Sequence, residues 1–400
     1  MSTADSTAAR PRLADLSLSA MIAGLVAVLV GYTSSAAIIL QAAAALGATP
    51  AQAQSWLIAL GLGTGALCLA LSLRYRAPLL FAWSTPGAAL IATLPAGSTL
   101  AAATGAFLFS ALLILICGVT GLFARVVERI PRALAAAMLA GVLVRFGLEL
   151  FTSLSLAPTL VTAMLLAYLL AKRMAPRYAV LAALVIGIAV ASLEGSLHFE
   201  HMQASFAWPS PVWPRFEFAA LLGIGVPLFV VTMVSQNLPG TAVLRQHGYT
   251  TPVSPLISAS GAMTLLLAPF GVFALNLAAI TAAICAGPEA HEDPRRRYMA
   301  AVCAGLVYLL AGLCGAMIVG LFAAFPQALV MAIAGIALLG TLGSSLADAL
   351  GAPAHREAAL VVFLVTASSL ELFGIGSAFW GLVIGALWLA LARRRRGITS

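Results

Sequence analysis

The stretch Phe81-Ala82-Trp83-Ser84-Thr85-Pro86-Gly87-Ala88-Ala89-Leu90 breaks the helix pattern in the middle of an apolar segment deep enough to lie inside a bilayer. Lipid cannot hydrogen-bond the backbone groups freed by such a break. Irregular backbone at membrane depth is therefore viable only where protein buries it or where it lines a watered cavity. A chain built this way is expected to hold a solute at the break. Composition supplies the bilayer: 62% of residues are hydrophobic and 8% charged, against about 25% charged in a soluble domain, and the mean hydropathy is +1.06.

Apolar runs of crossing length, roughly 17–25 residues for a full helix, together with two short interrupted runs, give fourteen segments: 17–45, 54–73, 79–95, 100–123, 132–151, 157–172, 177–194, 217–245, 252–268, 270–287, 296–324, 327–350, 355–371 and 373–392. The polar stretch 1–16, with Asp5, Arg10, Arg12 and Asp15, precedes a first run too long for a signal-peptide core, so segment 1 is read as retained. With the N-terminus in the cytoplasm, every Lys and Arg except Arg145 and Arg215 falls in a cytoplasmic loop or tail. One missed crossing would invert every later loop and destroy that bias. The net charge of +8 is thus a topology signal, and nucleic acid is not an expected partner.

The chain repeats itself. Ile130-Pro131-Arg132-Ala133-Leu134 before segment 5 recurs as Phe325-Pro326-Gln327-Ala328-Leu329 before segment 12, 195 residues later, and Cys117-Gly118 with Gly121-Leu122-Phe123-Ala124 is echoed by Cys314-Gly315 with Gly320-Leu321-Phe322-Ala323. Seven is an odd number of crossings, so the second copy enters from the opposite side. That is the inverted repeat of many secondary transporters. The expected organisation is a cytoplasmic tail at 1–16, a first repeat at 17–196, an extracytoplasmic loop at 197–216, a second repeat at 217–392 and a basic cytoplasmic tail at 393–400.

Segments 3 and 10 occupy corresponding places, and both are short and interrupted. In segment 3, Pro78 to Trp83 reads as extended, Thr85 as a helix N-cap and Pro86 as the first helical residue, where its missing N–H costs nothing. In segment 10, Pro269-Phe270-Gly271-Val272-Phe273-Ala274 reads as extended and Asn276 as the cap of a half-helix running to Ala286. Two facing helix N-termini, each with unpaired N–H donors and about half a positive charge, favour an anion. Segment 8 adds Ser235-Gln236-Asn237-Leu238-Pro239-Gly240, whose amides can bond a carboxylate without adding charge, and segment 1 adds Gly31-Tyr32-Thr33-Ser34-Ser35. Gly61-Leu62-Gly63-Thr64-Gly65 is expected to let segment 2 approach the broken strand closely. The candidate substrate-binding set is Tyr32, Ser34, Trp83, Ser84, Thr85, Ser235, Gln236, Asn237, Phe273 and Asn276.

The Trp83-to-Gly87 stretch, the Ser235-to-Gly240 stretch and Pro269-Phe270-Gly271 resemble those of the BenE-type benzoate:proton symporters, with matching length and order over nearly the whole chain. The resemblance implies an all-α membrane fold shared with uracil and sulfate permeases: two inverted sevens, with segments 1–4 and 8–11 as a core domain and 5–7 and 12–14 as a gate domain. It further implies a multi-pass protein of the bacterial inner membrane, import of a small aromatic carboxylate such as benzoate, proton symport by alternating access, and a homodimer. One departure bears on mechanism. Uracil permeases carry carboxylates in segments 8 and 10, where this chain has Gln236, Asn237 and Asn276, so a nucleobase is a weaker alternative and the proton carrier is unassigned. A transporter or channel for another small anion is the other alternative.

Arg145 and Glu149 stand four apart in segment 5 and can pair on one helix face. Glu149 is the weak candidate for proton coupling, because buried ionisable groups in membranes are functional candidates by default. The five cysteines show no Cys-x-x-Cys spacing and read as small packed hydrophobes. His198-Phe199-Glu200-His201 offers no closed ligand set for a metal, and no cofactor is expected. An enzyme is disfavoured by the lack of a nucleophile with a nearby base or an Asp-rich metal motif. Trp208-Pro209-Ser210-Pro211-Val212-Trp213-Pro214 suits an interfacial lid.

Overall fold

The computed structural model describes residues 15–94, 97–122, 132–197, 209–288, 290–315, 317–318, 324–368, 370, 372 and 377–396. Its helices are α1 Leu18–Ala45, α2 Pro50–Tyr75, α3 Thr85–Ala92, α4 Leu100–Val119, α5 Arg132–Leu156, α6 Pro158–Met174, α7 Ala179–Leu193, α8 Phe218–Arg245, α9 Val253–Leu267, α10 Ile280–Ala286, α11 Tyr298–Leu313, α12 Gln327–Gly351, α13 Arg356–Ala367 and α14 Ser377–Arg396. Two short strands, β1 Phe81–Trp83 and β2 Leu275–Leu277, precede α3 and α10. Among the described residues, eight helices are by themselves long and apolar enough to cross a bilayer. Half of the 195-residue echo, including Pro131 and Gly320 to Ala323, lies outside the described residues, as do the histidines at 198 and 201 and Glu371.

Local chemistry fixes where the helices start. Ser17 accepts the N–H of Ala20 at 3.1 Å, and Thr99 accepts that of Ala102 at 3.2 Å. Thr49 and Gln52 form a reciprocal capping box with Pro50 at the first helical position. Glycines set how closely helices pack. A Cβ on Gly61 would lie 2.5 Å from Gly312 Cα, and one on Gly65 would lie 2.7 Å from Gly305 O, so α2 and α11 meet backbone to backbone. The expectation that this glycine run faces the broken strand is therefore corrected. Only Gly63 looks that way, toward Leu275 of β2.

The helices sort into two groups by contact. In one, α2 and α1 pack on α11, and α4 packs on α9 and α8; in the other, α5 packs on α12 and α13, α6 on α7 and α13 on α14. Shifting every label by seven turns the α2–α11 pair into α9–α4 and the α6–α7 pair into α13–α14. The groups meet where α1 touches α7 and α12, and where α3 and α8 touch α5. Large apolar side chains such as Leu29, Ile116, Phe151, Leu170 and Leu310 point outward, as a lipid-facing surface requires.

Before α8 the chain runs as an extended strap: the Ser210 N–H donates to Ser55 Oγ at 3.0 Å, that of Val212 to Pro269 O at 2.7 Å and that of Arg215 to Ala101 O at 2.9 Å. Three ties to α2, α4 and the turn after α9 make this a fixed cover rather than a lid. At the other end of the first group, buried Asp15 takes Arg76 at 2.8 Å and the Tyr298 hydroxyl at 2.7 Å, tying the entry to α1 to the ends of α2 and α11.

Candidate functional site

β1 and β2 meet antiparallel inside the first group of helices, with Phe81 opposite Leu277, Ala82 opposite Asn276 and Trp83 opposite Leu275. The ladder continues through Ser84 N–H to Ala274 O at 3.1 Å and Ala278 N–H to Leu80 O at 2.9 Å. A two-stranded ladder leaves an outer edge on each strand, and lipid cannot satisfy it. Side chains from neighbouring helices do. Cys68 on α2 accepts the Phe81 N–H at 3.1 Å, Thr264 on α9 accepts the Leu275 N–H at 3.0 Å, and Asn237 on α8 accepts the Leu277 N–H at 2.9 Å. Cys68, read from sequence as a packed hydrophobe, is thus a backbone acceptor.

The half-helix caps differ from the sequence expectation. Ser84, not Thr85, caps α3 by accepting the Gly87 N–H at 3.1 Å, which makes Thr85 the first helical residue and Pro86 the second. Asn276 is no cap. It sits in the middle of β2, fully buried, donates to Leu277 O at 3.1 Å and leaves its Oδ1 without a partner among the described residues. The cap position of α10 belongs to Ala279, which has no side-chain acceptor. The extended stretch of segment 10 also lies later than expected, since Ala268–Phe270 forms a 3₁₀ turn and Gly271 takes φ +98°. A short helix cap is decided by which residue stops pairing with the strand, and that depends on a partner strand far away in the sequence, Ala82 pairing with Asn276.

A cavity of about 530 Å³ opens against these breaks, within the range of small-molecule sites. Trp83, Thr85 and Pro86 line it from segment 3, Ser235, Gln236 and Pro239 from α8, Ala278, Ala279 and Thr281 from segment 10, Gly31 and Ser35 from α1, and Tyr308 from α11. Across from them stand Tyr168 and Lys172 of α6 and residues of α7 and α12. The Lys172 ammonium lies 5.2 Å from the Tyr168 ring centroid. Among the described lining residues there is one cation and no carboxylate.

Of the expected site residues, Trp83, Thr85, Ser235 and Gln236 come together in this wall. Tyr32 stands just behind it, edge-on to Trp83 with centroids 4.8 Å apart. Ser84 is spent on its cap. Asn237 is spent on β2. Phe273 is fully buried against Trp56 and Phe107, away from the cavity. Ser34 lies on α1, and its side chain is outside the described residues. The helical phase of Ser235, Gln236 and Asn237 comes from a π-helical turn at Val231–Asn237. Pro239 has no N–H to give the Ser235 carbonyl, and a widened turn relieves that clash, a device frequent at functional sites. A second such turn, Leu221–Gly225, precedes Pro227. Sequence reasoning missed Tyr308, Lys172 and Thr281; a lysine at the end of an amphipathic-looking helix is an ordinary interfacial residue until the fold turns it toward a cavity.

A second cavity of about 430 Å³ lies at the far end of α3, against Leu90, Thr93 and Leu94, with Gly141 and Arg145 of α5 and Thr366 of α13. The expected Arg145–Glu149 pair forms there at 2.9 Å. Glu149 is partly exposed and is not part of the first cavity's wall.

Broken helices that pair through two short strands inside one helix group, with a cavity at the break facing the other group, define a multi-pass membrane transport protein. The match of a family model over residues 14–391 identifies the chain as a member of the benzoate membrane transport protein family, BenE. It is 52% identical over 367 residues to the inner membrane protein YdcO of Escherichia coli, covering 92% of this chain and 94% of that one. It is 38% identical over 373 residues to the benzoate membrane transport protein of Acinetobacter baylyi, covering 93% and 95%. Among solved structures it shares the fold of SLC26A9 with a TM-score of 0.64 at 15% identity, over 93% of this chain, and spans 65% of that longer protein.

Proposed function

We propose that the chain imports a small aromatic carboxylate such as benzoate across the bacterial inner membrane by proton symport. The observation that carries the anion part is the cavity wall: uncharged Gln236, Ser235, Thr85 and Thr281 with Lys172 as its cation and no acidic side chain among the described lining residues. A carboxylate placed there meets amide and hydroxyl donors without like-charge repulsion. The first turn of α10 adds N–H groups that receive no side-chain cap from Ala279. The α3 terminus contributes less than the sequence suggests, because Pro86 has no N–H and that of Gly87 is taken by Ser84. The substrate's aromatic character is supported by the Trp83, Tyr32 and Tyr308 rings and by the named function of the Acinetobacter relative.

The substrate-binding set proposed on this basis is Trp83, Thr85, Ser235 and Gln236, with Tyr32 beside them, Ser34 kept from the sequence pattern of α1, and Ser84, Asn237 and Asn276 holding the broken backbone in place. We take the fourteen segments to be two inverted repeats, 17–196 and 217–392, a reading supported by the helix contacts that exchange under a shift of seven. The first helix group is then the core and the second the gate, and the cavities at the two ends of α3 are the inner and outer approaches to one site. Both termini are cytoplasmic, 197–216 is external, and the protein acts as a homodimer. The proton either enters with the substrate at the cavity or is carried by a distant group such as Glu149 as the gate moves.

Uptake of labelled benzoate into proteoliposomes, with and without an inward pH gradient, tests the assignment. Saturable, gradient-driven uptake is expected. Uptake that follows the gradient equally in empty liposomes, or large unsaturable currents, overturns it. Glu149→Gln abolishes gradient dependence only if Glu149 carries the proton.

A further inference from the structure

Tyr308 lies on α11, an element that carries neither break, and its hydroxyl is fully buried with no hydrogen-bond partner among the described residues. Buried hydroxyls in native proteins are nearly always paired, so an orphan on a cavity wall calls for a partner that enters the cavity. The residue facing it is Gly31, near the middle of α1, where glycine is a poor helix former. A Cβ at Gly31 would lie 2.8 Å from the Tyr308 hydroxyl oxygen, whereas its next neighbours, Tyr308 Cζ and Thr281 Cγ2, would be 3.9 and 4.0 Å away. The missing side chain therefore lets the Tyr308 hydroxyl pack directly against the α1 backbone. Both residues line the larger cavity. Beside Tyr308 stands Trp83, with ring centroids 5.6 Å apart at 80°. Its indole N–H is held by Ser35 Oγ at 2.6 Å, which fixes the ring in place.

We infer that Tyr308 is a substrate-recognition residue: its hydroxyl donates a hydrogen bond to the carboxylate of the bound aromatic acid beside Gly31, while Trp83 flanks the substrate ring. This rests on the aromatic-acid reading above and adds to it a residue from outside the broken segments. Aromatic rings favour edge-to-face neighbours, and a hydrogen bond to a carboxylate is stronger than one between neutral groups.

Binding of labelled benzoate to the purified protein in nanodiscs tests the inference in wild type, Tyr308→Phe, Gly31→Ala and the double variant. Tyr308→Phe keeps the ring and removes only the oxygen, so about tenfold to a hundredfold weaker binding is expected for a lost charge-assisted bond, with thermal stability held or raised. Gly31→Ala should weaken binding comparably, because its methyl meets the hydroxyl alone. The double variant should bind no more weakly than either single one. Neutral benzamide should lose less affinity than benzoate on Tyr308→Phe. Unchanged benzoate binding by Tyr308→Phe overturns the inference, and so do single effects that add in the double variant. If Tyr308→Phe does not fold, undiminished binding by Gly31→Ala overturns it equally. Failure of the wild type to bind benzoate is a different result, and it refutes the aromatic-acid reading itself.

Discussion

Gln236 and Asn237 are neighbouring amides with opposite duties, and the contrast between their alanine variants is the sharpest test of the site. The Asn237 side chain is fully buried; its Oδ1 accepts the Leu277 N–H at 2.9 Å, and its Nδ2 lies 3.5 Å from Met233 Sδ. Asn237→Ala leaves that N–H, on the outer edge of a fully buried three-residue strand, without its acceptor. The penalty for an unsatisfied buried donor is about 1–3 kcal/mol, and it falls on the ladder that fixes both breaks. Unfolding of the purified protein by SDS titration should show a stability loss of that size, with transport falling through a lower maximal rate. Gln236 lines the cavity and is only partly buried. Gln236→Ala should leave the unfolding midpoint within about 0.5 kcal/mol of wild type, as for substitutions away from structural contacts. If it loses one charge-assisted bond to substrate, its KM should rise about tenfold or more. The reasoning fails if Asn237→Ala is as stable as wild type and raises only KM, or if the two variants behave alike.

Three further outcomes follow from the same geometry. Gln236→Glu should transport an anion less well than Gln236→Ala at pH 7.5, since it adds a negative charge at close range; uptake equal to wild type would bring a neutral substrate forward. Gly271→Val should abolish folding or uptake, because Gly271 holds φ +98° and a Cβ there would overlap the Trp56 indole; size-exclusion chromatography and uptake report it, and a well-folded, active variant would refute the packing. A cysteine replacing exposed Trp213, in a background with the accessible native cysteines Cys303 and Cys314 replaced, should react with an impermeant thiol reagent from outside, while one at Ala175 should not; the reverse pattern overturns the orientation.

Much of this protein was legible in one dimension. Long apolar runs, arginines at loop ends and Pro86 in the middle of an apolar segment are local signals, because the bilayer forces each segment to satisfy its own backbone or to advertise where it does not. They marked the membrane class, the position of the first break, the pair Arg145–Glu149 and the presence of polar residues near the break on α8. What the tertiary structure decided is which of those polar groups reach the cavity. Ser84 caps α3 because Thr85 is already helical; Asn276 is drawn into β2 because Ala82 pairs with it; Asn237 turns to Leu277 while Gln236 faces the cavity because Pro239 forces a widened turn. Tyr308 and Lys172 carried no signal of a site, since a tyrosine and a terminal lysine on apolar helices are ordinary until α11 and α6 pack against the breaks. Helix formation is set by neighbours a turn away, whereas a site assembled from α1, α3, α6, α8, α10 and α11 is set by contacts between residues hundreds of positions apart.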